Sequence, residues 1–177
     1  MNSMQKIESF KRNNCYSETM NKFIPVFIYS IRIQVRRYCS KRQSKRTLQL
    51  ISAASCLNRN EPHLDQCMLK MNNQLMATHD VDNRYKVAYV CCGFVHLVEC
   101  VTTLLSGTDC EAKLPIITDL MVRISGNMVE SYCGEYNVET DKCSRLPKLS
   151  SSKRNSKSFI LNLGLLFESI NSNDNDN

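Results

Sequence analysis

The stretch KVAYVCCGFVHLVECV, residues 86–101, sets two neighbouring cysteines inside an apolar pattern with helical spacing. From here to residue 105, apolar residues recur at alternating intervals of four and three, which predicts an amphipathic helix of about five turns. The polar sequence SGTD follows, and its Gly107 indicates the end of the helix. The predicted apolar stripe consists of Val87, Cys91, Phe94, Val98, Val101 and Leu105.

The neighbouring cysteines of this helix are not expected to form a disulfide with each other. Adjacent helical residues point about 100° apart, and a bond between neighbours would strain a regular helix, so Cys91 and Cys92 should reach different elements. Cys100 lies about 12 Å along the axis from Cys92, beyond the Cα separation of about 4.4 to 6.8 Å that a disulfide allows. We therefore expect three partners outside the helix, with the bridge of Cys91 buried between helices and that of Cys92 nearer the rim.

The density of cysteines indicates a disulfide framework. The chain has 177 residues and ten cysteines, and an even set of eight lies between residues 56 and 143. Such a set in a small domain predicts an oxidising compartment, although many pairings stay open. The sequence assigns no role to Cys15 and Cys39. The cysteines expected to form disulfides are Cys56, Cys67, Cys91, Cys92, Cys100, Cys110, Cys133 and Cys143.

Helical spacing continues on both sides of the central stretch. Apolar residues after NRNEP predict a helix from about residue 61 to 77, and a further helix is expected to begin between residues 109 and 115. The sequence FILNLGLLFESI near the end allows one short amphipathic turn or two, and no strand pattern is present. The apolar face of the third helix would consist of Ile117, Leu120, Met121, Ile124 and Met128.

These patterns predict an all-α fold, namely a small disulfide-stapled bundle of three to four helices with disordered N- and C-terminal tails. Residues 1–55 are expected to form a basic arm containing a broken signal-peptide-like segment. Residues 56–147 are expected to form the cysteine-rich helical domain. Residues 148–177 are expected to form a linker and a low-complexity tail.

The N-terminal arm is strongly basic and resembles an interrupted export signal. Residues 1–55 contain eleven Lys and Arg against two Glu, whereas residues 56–147 contain eight against twelve Asp and Glu. The apolar run Phe23–Ile31 follows a lysine as in a signal core, and the small residues Ser52–Ser55 resemble a cleavage site. The basic sequence between them breaks this signal. Two interpretations stay open: a signal peptide surrounded by gene-model artefacts, at residues 1–19 and roughly 31–47, or a genuine basic arm.

The same region gives little support for nucleic-acid or membrane-spanning functions. Tyr38 is the one aromatic residue within the basic sequence, whereas nucleic-acid-binding segments commonly interleave aromatic and basic residues. A domain with a disulfide framework is also not expected in the nucleus, where thiols are kept reduced. No uninterrupted apolar run approaches the roughly 20 residues that a membrane helix needs. We therefore expect no nucleic-acid partner and no transmembrane segment.

Catalytic and metal-binding patterns are also missing from the sequence. Cys92, His96 and Cys100 follow one another at intervals of four, but all three span too far for a single zinc ion. The sequence contains no GxSxG, no HExxH and no phosphate-binding glycine loop. We therefore expect no enzymatic activity, no catalytic residues, no metal and no cofactor.

Methionines on the apolar faces of two predicted helices suggest an adaptable interior. Flexible thioethers fill irregular cores, and they also line cavities for apolar ligands. If such a cavity exists, its expected lining is Met68, Met71, Phe94, Val98, Leu120, Met121 and Ile124.

The cysteine order C-x10-C-x23-CC-x7-C-x9-C-x22-C-x9-C, together with the helix YVCCGFVHLVECV, resembles the small secreted eight-cysteine helical proteins of arthropods and nematodes. This resemblance covers about residues 56–143 and implies an extracellular, non-enzymatic, all-helical domain. The expected function is a secreted protein that binds an apolar small molecule or a protein partner in extracellular fluid. The alternative is a structural or defensive secreted factor without a small-molecule ligand.

Overall fold

A computed structural model describes residues 18–41, 43–126, 129, 132–137, 139–150 and 158–171. The all-α class is confirmed, and no strand occurs in these ranges. A short 3-10 helix, Glu111–Lys113, precedes α5. The described α-helices are α1 Glu18–Cys39, α2 Lys45–Arg59, α3 Glu61–Thr78, α4 Asn83–Leu105, α5 Leu114–Ile124 and α6 Phe159–Asn171.

The predicted central helix is α4, and other helices surround it. The Asp82 side chain caps its N-terminus by accepting a hydrogen bond from the backbone N–H of Arg84 at 3.1 Å. Residues on several sides of α4 are buried, so the predicted stripe does not by itself define the inward face. Val87, at the start of the stripe, is 36 % exposed. The buried residues of α4 are Lys86, Ala88, Tyr89, Cys91, Cys92, Gly93, Leu97, Val101 and Leu105.

In the part of the chain that the structure describes, α4 is the one helix with the length and apolar composition to cross a membrane. It has 23 residues, and an 18-residue window of it has a mean hydropathy of 1.7. Counting uninterrupted apolar runs missed this helix, because polar residues such as His96 and Glu99 divide its apolar residues. In the bundle, α4 makes its most extensive contacts with α3, as a core helix does. The expectation of no transmembrane segment stays a prediction.

Four disulfides join the eight cysteines of the predicted set. α2 is linked to the start of the 3-10 helix, and α3 is linked to α4. The three cysteines of α4 all bond outside that helix, as the helical geometry required. The bridges are Cys56–Cys110, Cys67–Cys100, Cys91–Cys133 and Cys92–Cys143.

The adjacent cysteines differ less than expected. Cys91 and Cys92 are each 1 % exposed, so the prediction of a bridge nearer the rim fails at the α4 end of Cys92. Their partners, Cys133 and Cys143, both belong to the segment 132–147 that follows α5. The difference lies at this far end, where Cys133 is buried and Cys143 is half-buried. Cys91 and Cys92 therefore link α4 to the segment 132–147 at two points.

Both ends of the chain contribute helices to the bundle. Ser44 caps α2 by accepting a hydrogen bond from the Thr47 backbone N–H at 3.2 Å, and α2 carries Ala53 and Cys56 into the core. The expected boundary at residue 56 thus lies inside a helix. The C-terminal apolar sequence forms the 13-residue α6, which is longer than the turn or two expected. The predicted contribution of Met128 lies outside the described residues.

Candidate functional site

An apolar cavity of about 720 Å³ lies between α6 and the disulfide-linked helices. Side chains from α1, α3, α4, α5 and α6 line it, together with residues that follow α5. No charged side chain occurs among the described residues of this lining. They are Phe27, Met68, Met71, Val87, Val90, Phe94, Leu97, Met121, Ile124, Ser125, Val129, Tyr132, Cys133, Ser158, Phe159, Ile160, Leu163, Leu166, Phe167 and Ile170.

The structure brings five of the seven predicted cavity residues into this lining. Val98 and Leu120 are not part of it, although both lie on helices that contribute. Helical spacing shows which residues share a face, but the position of the neighbouring helix decides which part of that face borders a cavity. The predicted residues that line the cavity are Met68, Met71, Phe94, Met121 and Ile124.

Sequence reasoning missed the contribution of α6, which supplies six of the lining residues. The intervals of four and three between Phe159, Leu163, Leu166 and Ile170 are typical of one helical face and could have revealed it. The serine-rich and lysine-rich sequence before this segment is typical of a linker, so composition alone predicts a linker and tail here. The six residues are Phe159, Ile160, Leu163, Leu166, Phe167 and Ile170.

Polar contacts fix α6 over the cavity. The Asn162 Nδ2 donates a hydrogen bond to Asn72 Oδ1 at 2.8 Å, and both side chains are buried. The Nε2 of His79 lies 3.2 Å from the backbone carbonyl of Asn162. The Nζ of buried Lys86 donates to Ser169 Oγ at 2.9 Å. A buried polar pair requires both partners in place, so these contacts set the position of α6 on α3 and α4.

A disulfide forms part of the cavity wall. Cys133 lines the cavity and bonds to Cys91 of α4, which holds the neighbouring Tyr132 at the cavity. Tyr132 is 68 % exposed, which places part of its ring at the solvent boundary. This part of the wall is therefore covalently tied to the central helix, whereas the contribution of α6 is held by noncovalent contacts.

The shifted pKa values belong to structural contacts away from the cavity lining. The hydrogen bond from Arg123 lowers the pKa of Asp119, and the hydrogen bond from Tyr38 lowers it further. Burial raises the pKa of Tyr38 and, separately, that of Tyr89. The hydrogen bond from Lys142 lowers the pKa of exposed Glu135. None of these four groups belongs to the described lining of the cavity. The described lining therefore offers a ligand apolar contacts and a defined shape.

The two cysteines that were considered, together with His96, as zinc ligands form disulfides. Cys92 and Cys100 belong to two different disulfides, so neither offers a thiolate to a metal. Within the described ranges, no group of three His, Cys, Asp or Glu residues is arranged to hold an ion. The absence of catalytic activity is not tested by these contacts and stays a prediction.

Comparison with known proteins gives no match, whether with protein-family models, with curated sequences or with solved structures. The resemblance to secreted eight-cysteine helical proteins therefore rests on the cysteine order and the helix YVCCGFVHLVECV, and it stays a prediction.

Proposed function

We propose that this disulfide-rich helical protein is secreted and binds an apolar small molecule in the cavity under α6. The observation that carries the proposal is the cavity itself, whose volume of about 720 Å³ falls within the usual range of small-molecule sites. Its described lining is almost entirely apolar, with Ser125, Ser158 and the Tyr132 hydroxyl as the polar exceptions. Ligand pockets commonly have this composition, with a few polar groups that orient the ligand.

The energetics of the cavity favour an apolar occupant. An apolar ligand removes the apolar lining from water and gains dispersion contacts with it, and both effects favour binding. Met68, Met71 and Met121 can adjust their side chains to ligands of different shape, because a thioether side chain is flexible and polarisable. A charged ligand group buried in the described lining would lack a counter-charge, which is costly. We therefore expect a neutral chain or ring to occupy the interior.

Four disulfides support the secreted location, because such bonds persist in oxidising compartments. Which N-terminal residues remain after export depends on the two interpretations of residues 1–55. Removal of the segment before Cys56 would delete Phe27 from the lining and leave the other described lining residues. The lining supplied by α3 to α6 is therefore common to both interpretations, whereas the α1 wall is present only if this segment is retained.

A binding assay with matched variants on one helix tests the proposal. The oxidised protein should enhance the fluorescence of a neutral apolar probe such as N-phenyl-1-naphthylamine, and a long-chain alcohol should displace the probe. Leu163→Trp places a large ring in the cavity, whereas Leu161→Trp, two residues away, lies outside the described lining and on a half-exposed position. We expect the first variant to bind the probe about tenfold more weakly and the second to bind it normally.

Each variant needs a check of folding, because overpacking can destabilise a core. Thermal unfolding should show a folded bundle for Leu163→Trp, and Met121→Phe offers a milder obstruction from α5. No probe binding by the folded, oxidised protein would contradict the proposal and favour the structural or defensive alternative. Equal weakening by Leu163→Trp and Leu161→Trp would show that the probe binds elsewhere.

A further inference from the structure

α1 exposes apolar side chains on one face, although its packed face carries both polar residues and the cavity-lining Phe27. Its outward face carries Val26, Tyr29 and Ile33, which are 48 %, 64 % and 41 % exposed and follow one another at intervals of three and four. Its inward face buries Gln34 and Tyr38, together with Ser30. A helix on a water-exposed surface normally buries its apolar stripe and exposes its polar one. This arrangement is unfavourable if water is the only medium outside α1.

Specific contacts hold α1 in this orientation. The Tyr38 hydroxyl donates a hydrogen bond to Asp119 of α5 at 3.2 Å. At the C-terminal end of α5, Gly126 has a φ of 68°, and a Cβ atom there would lie 2.7 Å from Ser30 Oγ. Rotation of α1 to bury Val26 and Ile33 would break the first contact and lose the close approach at Gly126. The outward apolar face therefore belongs to the packed position of the helix.

The charge of the segment that carries this face is uniform in sign. Between Glu18 and Glu61 the sequence contains nine Lys and Arg and no Asp or Glu. Arg36 follows Ile33 on the same exposed face of α1, at the next interval of three, and is itself exposed. Lys41, Lys45 and Arg46, in the turn into α2 and its first residues, are exposed as well. Leu48 and Ile51 on α2 are exposed apolar residues of the same basic segment.

We propose that the outward face of α1, with the basic residues that follow it, binds the surface of an anionic lipid bilayer. An interfacial helix places apolar side chains at the boundary of the acyl chains, while its Lys and Arg residues meet anionic headgroups. Val26, Tyr29 and Ile33 supply the first component, and Arg36 with the basic turn supplies the second. This inference does not rest on the cavity, because these residues are absent from its described lining. It requires that α1 remains in the mature protein.

Vesicle cosedimentation with the full oxidised chain tests the proposal. The protein should bind vesicles of phosphatidylcholine mixed with phosphatidylserine, bind pure phosphatidylcholine much more weakly, and lose affinity as salt screens the charges. Replacing Arg36 and Lys45 with Gln should lower the affinity roughly thirtyfold, since each basic residue near an anionic surface contributes a factor of about five.

A matched pair of double variants tests the apolar component. Val26→Ser with Ile33→Ser should reduce vesicle binding about tenfold, because two apolar side chains leave the interface. The control combines Leu69→Ser on α3 with Leu161→Ser on α6, which are 48 % and 42 % exposed and lie outside this face. The control should bind vesicles like the unchanged protein. Circular dichroism should show the same helical content for all variants.

Several outcomes would overturn the proposal. Absence of vesicle binding, or equal binding to neutral and anionic vesicles at all salt concentrations, would remove the electrostatic basis. Equal effects of the two double variants would show that α1 is not the contact surface. N-terminal sequencing of the secreted protein that begins beyond residue 39 would show that α1 is removed, so that its apolar face serves export instead.

Discussion

Removing the two bridges of α4 separately and together should reveal strong coupling between them. Cys91–Cys133 spans 42 residues and Cys92–Cys143 spans 51, so each alone would restrict the unfolded chain by about 4 kcal/mol. With the first bridge intact, however, the shortest covalent path between Cys92 and Cys143 passes through it and includes only about 11 residues. Closing that shorter path contributes only about 2.7 kcal/mol.

We therefore expect a variant with Cys92→Ala and Cys143→Ala to lose about 2.7 kcal/mol of unfolding free energy. The Cys91→Ala and Cys133→Ala variant should lose nearly the same amount, since the path argument is symmetrical. Removing both bridges should cost about 6.7 kcal/mol, which exceeds the sum of the two single losses by about 1.3 kcal/mol. Cys91 and Cys92 are equally buried, so the α4 ends of the two bridges should contribute equally, whereas the more buried Cys133 adds a small further loss to the Cys91→Ala and Cys133→Ala variant.

Urea unfolding followed by circular dichroism measures these losses, and a thiol assay verifies that the remaining bridges are intact. The control removes Cys67–Cys100 together with Cys91–Cys133, because neither of these bridges shortens the covalent path across the other. The losses in this control should be additive. Additive losses for the two α4 bridges, or a much larger loss for one of them, would refute the explanation by shared covalent path.

Two further changes test the polar contacts of α6 and α5. Asn72→Ala should cost about 1 to 3 kcal/mol of stability in urea unfolding, because it removes the acceptor of the buried Asn162 amide; unchanged stability would show that this pair does not fix α6. The contacts of Asp119 with Arg123 and Tyr38 hold its pKa below its ordinary value of 3.8, so they stabilise the fold above that value and are lost as pH falls through the lowered pKa. The stability deficit of Asp119→Asn should therefore be full at neutral pH and disappear in acid, and a deficit that is independent of pH would contradict the assignment.

Local patterns in the sequence determined the helical class and much of the candidate site. The predicted helices at about 61–77 and from residue 84 agree with α3 and α4 to within a residue or two. The exclusion of a bond between Cys91 and Cys92 was also correct, because helical geometry and disulfide length are properties of the local chain. Met71 and Met121 were placed in the cavity lining for the same reason, since periodicity assigns residues to one helical face.

Only the tertiary structure decided how these elements meet. The pairing of Cys91 with Cys133 depends on where the segment after α5 lies. The spacing of cysteines along the sequence does not determine the distance between these two residues in the fold. The role of α6 as a cavity wall depends on its contacts with α3, a helix that lies far from α6 in the sequence. Val98 shares the predicted stripe with Phe94 but lies outside the cavity lining, because the surrounding helices bury α4 on several sides. Periodicity fixes relations within a helix, whereas the rotation of each helix toward its neighbours is set by packing among residues distant in the chain.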